Sequence, residues 1–486
     1  MKIIILGAGR VGGTLATNLA SEANDITVID SDELQLAQLR NRIDIGVVAG
    51  HASSPGVLSQ AGIEDADMLI AVTGIDEINM LACQIAHSLF RTPTKIARIR
   101  SEEYSSYQGL FCNEAIPVDV IISPEQLVSD HIARLIRQPG ALQVLDFADG
   151  LAQLVAVKAF HGGPLVGQEL RYLRKHIPNI ETRVAAVFRK DHAILPTGQT
   201  VIEADDEVFF IAANKDIRAV VSELRRADRA YKRIIIAGGG NIGLRLAKML
   251  EKNYSVKIIE ANEQRCIELS EAVDQSIVLN GSASDRETLL GENIEDTDVF
   301  LSVTNSDEAN IMSSMLAKRL GAHKVITLIS NYAYIDLVQA SDIDIAVSPQ
   351  QITIGTLLAH VRRGDIVNVH SLRKGSAEAI EVIAHGDAKT SKVVGRAIED
   401  IDLPEGAIIG AIVREKNLDA NNAIVTTETA ASIVKKSRHT DKDSHEVLMA
   451  HDDLIIQSGD HVIVFVIDKR FTRDIERLFQ VGFTFF

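Results

Sequence analysis

Ile3-Ile4-Ile5-Leu6-Gly7-Ala8-Gly9-Arg10-Val11-Gly12 decides the reading of this chain, because the pattern occurs twice. Ile234-Ile235-Ile236-Ala237-Gly238-Gly239-Gly240-Asn241-Ile242-Gly243 repeats it, with Gly238 standing 231 residues after Gly7. In each, a short apolar run reads as a buried strand, and a G-x-G-x-x-G spacing follows. The first glycine lets the strand turn tightly into a helix. The second lets backbone approach a pyrophosphate, and the third lets the helix pack close to the strand. Free N–H groups at the helix N-terminus then face the phosphates. One such match is weak; two in the same strand–loop–helix context are specific.

The repeat runs on. Gly50-His51-Ala52-Ser53 matches Gly281-Ser282-Ala283-Ser284, and Asp67, Thr73, Asp76-Glu77 and Asn79 match Asp298, Thr304, Asp307-Glu308 and Asn310. Ser123-Pro124-Glu125-Gln126 matches Ser348-Pro349-Gln350-Gln351 at an offset of 225, so small loop insertions separate two copies of about 230 residues. Apolar runs at 2–6, 25–30, 44–48, 67–72, 95–99 and 118–122 predict strands, and 10–22 and 33–41 predict helices. Near-continuous apolar strands alternating with helices make a parallel sheet covered on both faces. Further on, Leu154-Val155-Ala156-Val157, Val184-Ala185-Ala186-Val187-Phe188 and Val208-Phe209-Phe210-Ile211 are separated by turn signals and read as a small α+β module. The expected fold is α/β: two Rossmann-like parallel-sheet domains at 1–125 and 231–352, each followed by an α+β module, at 140–225 and 366–486. The second module carries a polar insertion from about Asn417 to Ser444, expected to be a long surface loop. Its His439, Asp441, Asp443 and His445 read as solvated polar residues rather than metal ligands.

Length and composition agree. At ~150 residues per domain, 486 residues suggest three or four domains. A net charge of -16 without a Lys/Arg-rich block argues against nucleic acid as main partner. The absence of Trp and an aromatic content of 4% argue against stacking platforms for single strands. Three cysteines, Cys83, Cys112 and Cys266, stand far apart and suggest buried thiols in a reducing compartment. The apolar run Ile3–Leu6 is too short for a signal peptide, and no stretch approaches the ~18 apolar residues of a spanning helix. The expectation is a cytoplasmic protein.

An acid ends the strand after each glycine loop. Asp30 follows Gly12 by 18 residues and Glu260 follows Gly243 by 17. The spacing suits a carboxylate on the adenosine ribose hydroxyls, and such a carboxylate repels a 2′-phosphate, favouring NAD(H) over NADP(H). Arg10 lies in the first loop and Asn241 takes its place in the second. Lys95-Ile96-Ala97-Arg98-Ile99-Arg100 also adds two guanidinium groups, where alignment with Lys324–Ile329 puts Thr327 and Ile329. The first pocket is thus the more cationic and suits ATP or ADP as well as NAD(H). The alternative for Arg98 and Arg100 is surface pairing with Glu102 or Glu103. Thr73–Asn79 and Thr304–Asn310 follow the fourth strands, where ligands lie in open parallel sheets. Ser53 and Ser284 follow the third strands and are expected to reach adenine or ribose. Asp76 and Asp307 suit ligand proximity and helix capping equally.

No G-x-S-x-G, H-E-x-x-H or Walker A pattern is present, and no histidine sits in a recognisable acid–base motif. Two nucleotide domains with two small modules suggest a device that converts occupancy into a conformational state. The competing class is an NAD(H)-dependent oxidoreductase, which would need a proton donor beside the nicotinamide.

GAGRVG with Asp30, the segment DADMLIAVTGIDEINMLACQIA (65–86), KIARIR (95–100) and ISPEQ (122–126) together resemble RCK (KTN) domains. GGPLVGQEL (162–170) and GDHVIVF (459–465) resemble the RCK C-terminal module. Two tandem copies over nearly the whole chain resemble the cytoplasmic regulatory subunits of bacterial Trk potassium uptake systems. The resemblance implies a non-enzymatic protein at the cytoplasmic side of the inner membrane that gates a TrkH-type subunit. It implies NAD(H) and ATP/ADP as ligands, and a ring, expected to be a tetramer. The family's nucleotide positions fall on Gly7, Gly9, Arg10, Val11, Gly12, Asp30, Thr73 and Arg98 in copy one. In copy two they fall on Gly238, Gly240, Asn241, Gly243, Glu260 and Thr304. The long insertion departs from the family pattern.

Overall fold

The computed structural model describes residues 1–21, 24–107, 109–190, 192–225, 230–339, 342–361, 366–372, 377–416, 444–467 and 471–481. The polar stretch expected as a long loop lies outside them except for Ser444, and so do His439, Asp441 and Asp443. Two compact units are present, and each draws on both copies: Met1–Ala133 with Tyr231–Leu358, and Arg134–Ala230 with Ala359–Phe486.

The first unit holds two parallel six-stranded sheets. In copy one the strands are Lys2–Leu6, Asp25–Asp30, Gly46–Ala49, Met68–Ala71, Thr94–Arg98 and Val120–Ile122. In copy two they are Arg233–Ala237, Ser255–Glu260, Ile277–Asn280, Val299–Ser302, Lys324–Leu328 and Ile345–Val347. Both sheets run in the order 3-2-1-4-5-6. That is the doubly wound arrangement, whose crevice opens between strands 1 and 4. Ile3, Ile4, Ile5 and Leu6 are wholly buried, as are Ile234, Ile236 and Ala237, because helices cover both sheet faces.

The strand register corrects one expectation. Met68 pairs with Thr94 in copy one, and its equivalent Val299 pairs with Lys324. The fifth strands therefore align one residue away from the sequence match. Leu328 stands opposite Arg98, and Ser330, not Ile329, opposite Arg100. The shift follows from Lys95 and Lys324, which look equivalent in sequence but occupy neighbouring rungs. The Lys95 ammonium pairs with Asp119 at 2.9 Å. In copy two Lys318 pairs instead with the equivalent Asp344, at 2.7 Å.

The second unit holds two antiparallel five-stranded sheets. One has strands Ala141–Phe147, Ala152–Lys158, Thr182–Arg189, His192–Ile194 and Glu207–Ala213. The other has Ile366–Leu372, Ala377–Ile383, Ala407–Glu415, His445–Met449 and His461–Val466. Numbered within each module, both follow the order 1-2-5-3-4. One apolar core joins the two, with Phe147, Phe188, Phe209 and Ile211 from the first module and Leu372, Met449, Ile463 and Phe465 from the second. Each module also buries an aspartate beside an arginine: Asp206 accepts from Arg189 and Asp460 from Arg414, both at 2.7–2.8 Å. A polar tie crosses the joint. Glu381, fully buried, accepts from the Ala148 N–H of the other module (3.1 Å), from Asn368 Nδ2 (2.6 Å) and from His461 Nδ1 (2.6 Å). A carboxylate so enclosed is tolerable only because its oxygens are satisfied.

Two outcomes follow. A Cβ on Gly12 would lie 1.9 Å from the Gly7 carbonyl oxygen, whereas one on Gly9 would meet nothing within 4 Å. Gly12→Ala should therefore lower the melting temperature of the chain, at a cost of about 2 kcal/mol or more, while Gly9→Ala leaves it nearly unchanged. The second outcome concerns pH. The hydrogen bond to Glu381 raises the His461 pKa above 6.5, helped by Asp149 and Asp460. His370, edge-on to Phe147 and near Arg134 and Asp146, is pushed by burial down to about 4; it is present in parent and variant alike, so its own titration cancels when the two are compared. The stabilisation from charged His461 is complete below 6.5 and is lost as pH rises through its folded pKa. As pH rises from 6.5 through the folded pKa of His461, the melting temperature should fall more steeply for the parent than for His461→Gln, and parallel curves would remove this assignment.

Candidate functional site

The site grows from the end of the first strand. Gly7 adopts φ +105°, a left-handed backbone open to glycine, and its N–H donates to Ile29 O at 2.8 Å. The chain then enters the helix Arg10–Ser21, with Gly12 pressed against the turn. Asp30 braces this loop from the side. Its Oδ2 accepts from Ala8 N at 2.6 Å and its Oδ1 from Asp32 N at 2.9 Å. Copy two repeats the arrangement: Gly238 has φ +109°, and Glu260 accepts from Gly239 N at 2.8 Å and Asn262 N at 2.9 Å.

A cavity of about 630 Å³ opens over the first loop. Of the expected residues, Gly7, Gly9, Arg10, Val11, Asp30, Thr73 and Arg98 line it. Gly12 does not; it packs the helix on the strand. Ser53 does not either, because the third-strand end presents Gly50, His51 and Ala52 to the space. Thr73 is set by Asn79, wholly buried, whose Oδ1 accepts from Thr73 N (3.0 Å) and Thr73 Oγ1 (2.7 Å) while its Nδ2 donates to Arg98 O (2.9 Å). Asn79 thus ties the fourth strand end to the fifth.

Asp76 and Asp307 are the first residues of their helices, one past the N-cap, and each has a role that neither expectation named. Asp76 accepts from the Arg100 and Ser101 N–H groups, at 2.8 and 2.9 Å, and Asp307 likewise from Ser330 and Asn331, at 2.8 and 2.7 Å. Each clamps the loop after the fifth strand. The arginines do not pair with Glu102 or Glu103. Arg100 Nη2 donates to Gly74 O at 3.0 Å, and Glu102 instead meets Arg245 of copy two. Arg98 reaches the cavity with its Nε buried and without a hydrogen-bond partner. Burial, and then the nearby Arg100, push its pKa down, although Glu125 and Asp76 oppose this. An arginine stays charged regardless, so this side chain is a half-buried cation short of acceptors.

Copy two has the scaffold without those cations. Asn310 accepts from Thr304 N and Oγ1 at 2.8 and 2.7 Å, as Asn79 does for Thr73. Gly240 and Asn241 begin its helix, Gly243 packs against Gly238 O, and Ser284 is exposed. Over this loop lies Arg265, whose Nε donates to Gly239 O at 2.9 Å; Gln35 stands in the equivalent place in copy one. Leu269 also fills the space where Ala8 carries its methyl, so a Cβ on Gly239 would lie 2.2 Å from Leu269 Cδ1.

Four lining residues of the first cavity come from copy two: Ser330, Pro349, Gln350 and Thr353. Sequence reading aligned the Ser-Pro-Gln-Gln segment with its copy-one partner but gave it no place at the site. Its repetition was the available signal.

The first cavity fits a nucleotide on its own residues. It offers a glycine turn at a helix start, room at Gly9, a carboxylate at the second strand end and an acceptor-poor guanidinium. The TrkA-N domain model matches residues 3–124 and 234–349, and the TrkA-C domain model matches 154–225. The chain is 64% identical to the Trk system potassium uptake protein TrkA of Halomonas elongata over the full length of both. It is 56% identical to that of Vibrio alginolyticus and 49% identical to that of Haemophilus influenzae, over 99% of each chain. Among solved structures it resembles the GsuK RCK domain (TM-score 0.58, 18% identity, 98% of this chain and 94% of that one) and a GsuK channel bound to NAD (TM-score 0.58, 18% identity, 98% and 78%). These last two show the shared fold. Among the described residues no helix is long and apolar enough to cross a membrane.

Replacing Arg98 tests whether its charge serves a ligand. Arg98→Met should raise the melting temperature of the ligand-free chain, by an amount worth about 1 kcal/mol. It should weaken ADP binding about tenfold or more. A variant that melts lower and binds equally well would show that the guanidinium is structural.

Proposed function

This chain belongs to the TrkA family of Trk system potassium uptake proteins, and from that membership we propose that it regulates potassium uptake by binding nucleotides in its parallel-sheet domains. The observation that carries the reading is the first cavity, where the glycine loop, the Asp30 carboxylate and the underpartnered Arg98 converge. In this reading Gly7, Gly9 and Val11 give backbone to the phosphates. Arg10 and Arg98 neutralise them, Asp30 takes the ribose hydroxyls through lone pairs its backbone partners leave free, and Thr73 closes the wall. NAD(H), ATP and ADP are the ligands proposed. In copy two, Gly238, Gly240, Asn241, Gly243, Glu260 and Thr304 form the corresponding but less cationic loop.

The proposed partner is a TrkH-type membrane subunit, with the chain working as a non-enzymatic, ring-forming tetramer at the cytoplasmic face of the inner membrane. Ligands act by binding one ring shape better than another. Each shifts the equilibrium by its affinity ratio for the two shapes and no further. The domain limits proposed are those read from the repeat, 1–125, 140–225, 231–352 and 366–486.

Calorimetric titration of the full chain with NADH, NAD⁺, ATP and ADP tests this. Saturable binding at one or two sites per chain without turnover supports it. Gly9→Val should abolish binding in copy one with little change in melting temperature, since the added atoms enter ligand space. Binding unaffected by Gly9→Val would refute the site assignment, and steady NADH consumption would return the oxidoreductase reading.

A further inference from the structure

We infer that Gln350, a copy-two residue, belongs to the copy-one nucleotide site and sets how much phosphate charge that site accepts; the inference rests on the nucleotide reading above. Gln350 lies in the first turn of the helix Pro349–Val361. Its Nε2 donates to Arg10 O at 2.9 Å and to Thr14 Oγ1, on the first turn of the glycine-loop helix. The side chain therefore spans from one copy to the backbone of Arg10, a lining residue of the cavity. Thr353, one turn on and 1% exposed, and Ser330, held by Asp307, line the same space. All lie in one compact unit.

The residue type matters because the two copies differ at this point. Gln350 stands where copy one has Glu125 in the shared Ser-Pro-x-Gln segment. A glutamine amide both donates and accepts. A carboxylate of the same length only accepts, so it cannot make the bond to Arg10 O, and it keeps a bond to Thr14 only if that hydroxyl turns to donate. It would also place a negative charge against a cavity whose proposed ligands carry two to four. Copy two meets no such requirement at its own loop. There Thr14 is replaced by Arg245, which pairs with Glu102 of copy one. Gln350 is thus a positioning and charge-selecting residue. It holds Arg10 in place and keeps the cross-copy wall neutral.

Gln350→Glu in the full-length chain tests this against Gln350→Ala, with NADH, ADP and ATP titrated into all three proteins. For Gln350→Glu the affinity loss should grow with ligand charge, smallest for NADH and largest, about tenfold or more, for ATP. The loss should shrink at high salt. For Gln350→Ala the loss should be smaller and similar for all three. Equal affinity losses for the three ligands in Gln350→Glu would mean a structural role alone, and unchanged affinities in both variants would exclude the residue from the site; either result overturns the inference. Failure of the parent protein to bind any of the three would instead overturn the nucleotide reading on which it rests.

Discussion

The contact of Gly12 with the carbonyl of Gly7 is what the site depends on. Only a residue without a side chain lets the helix begin that close to the strand, and Gly243 meets Gly238 in the same way, with an added Cβ at 2.0 Å. That approach aims the loop N–H groups and the helix start at one small region. It also leaves the Ala8 and Gly239 N–H groups beside the strand that follows, where Asp30 and Glu260 accept them. The acid that reads in sequence as a ligand group is therefore first a brace for the loop. The two roles are compatible, since each carboxylate oxygen has more than one lone pair.

The two copies show which residues the fold needs and which the cavity needs. Asn79 and Asn310, Asp76 and Asp307, and Tyr104 and Tyr334 on Glu77 and Glu308 make the same bonds in both. The asparagines and aspartates hold backbone at the strand ends, and the Tyr–Glu pairs join side chains of neighbouring helices. The positions that face the cavity differ: Arg10 against Asn241, Gln35 against Arg265, His51 against Ser282, Arg98 against Leu328. Duplication kept the frame and let the lining diverge. Lys95 and Lys318 show that even a frame role can move between rungs, provided an ammonium still reaches the aspartate that closes the sheet edge.

Most of the fold was legible because it is written in periodic signals: apolar runs, glycine spacing and their repetition. The strand, glycine turn and helix start that frame the first cavity were legible for the same reason. The one-residue slip on the fifth strand was not, because Lys95 and Lys324 match as letters while the backbone bonds of Asp119 and Asp344 fall on Lys95 and Val325. Ser53 lies outside the cavity lining, because its repeat match marks a turn after the third strand that presents His51 and Ala52 to the cavity instead. The pairing of like modules across the chain was also hidden. Sequence order suggests domain beside following domain, whereas burial joins Phe147 and Phe209 to Phe465 across more than 250 residues. Nothing local in those apolar strands records which sheet will cover them.

A cavity walled by two copies has a thermodynamic consequence. A ligand that filled this cavity would touch Gln350 and Thr353 on the helix Pro349–Val361, and occupancy and the fit between the copies would then be linked. If a ligand tightens that fit, whatever tightens the fit must also tighten the ligand, by the same factor. The second loop, carrying Arg265 and Leu269 over its glycines, lies in the same compact unit. A duplicated domain with two identical pockets would respond to total nucleotide. Here the frame is common and the linings differ, Arg10 and Arg98 at the first loop against Asn241, Leu328 and the overlying Arg265 at the second, so under the proposed function the two loops would not respond alike to one nucleotide.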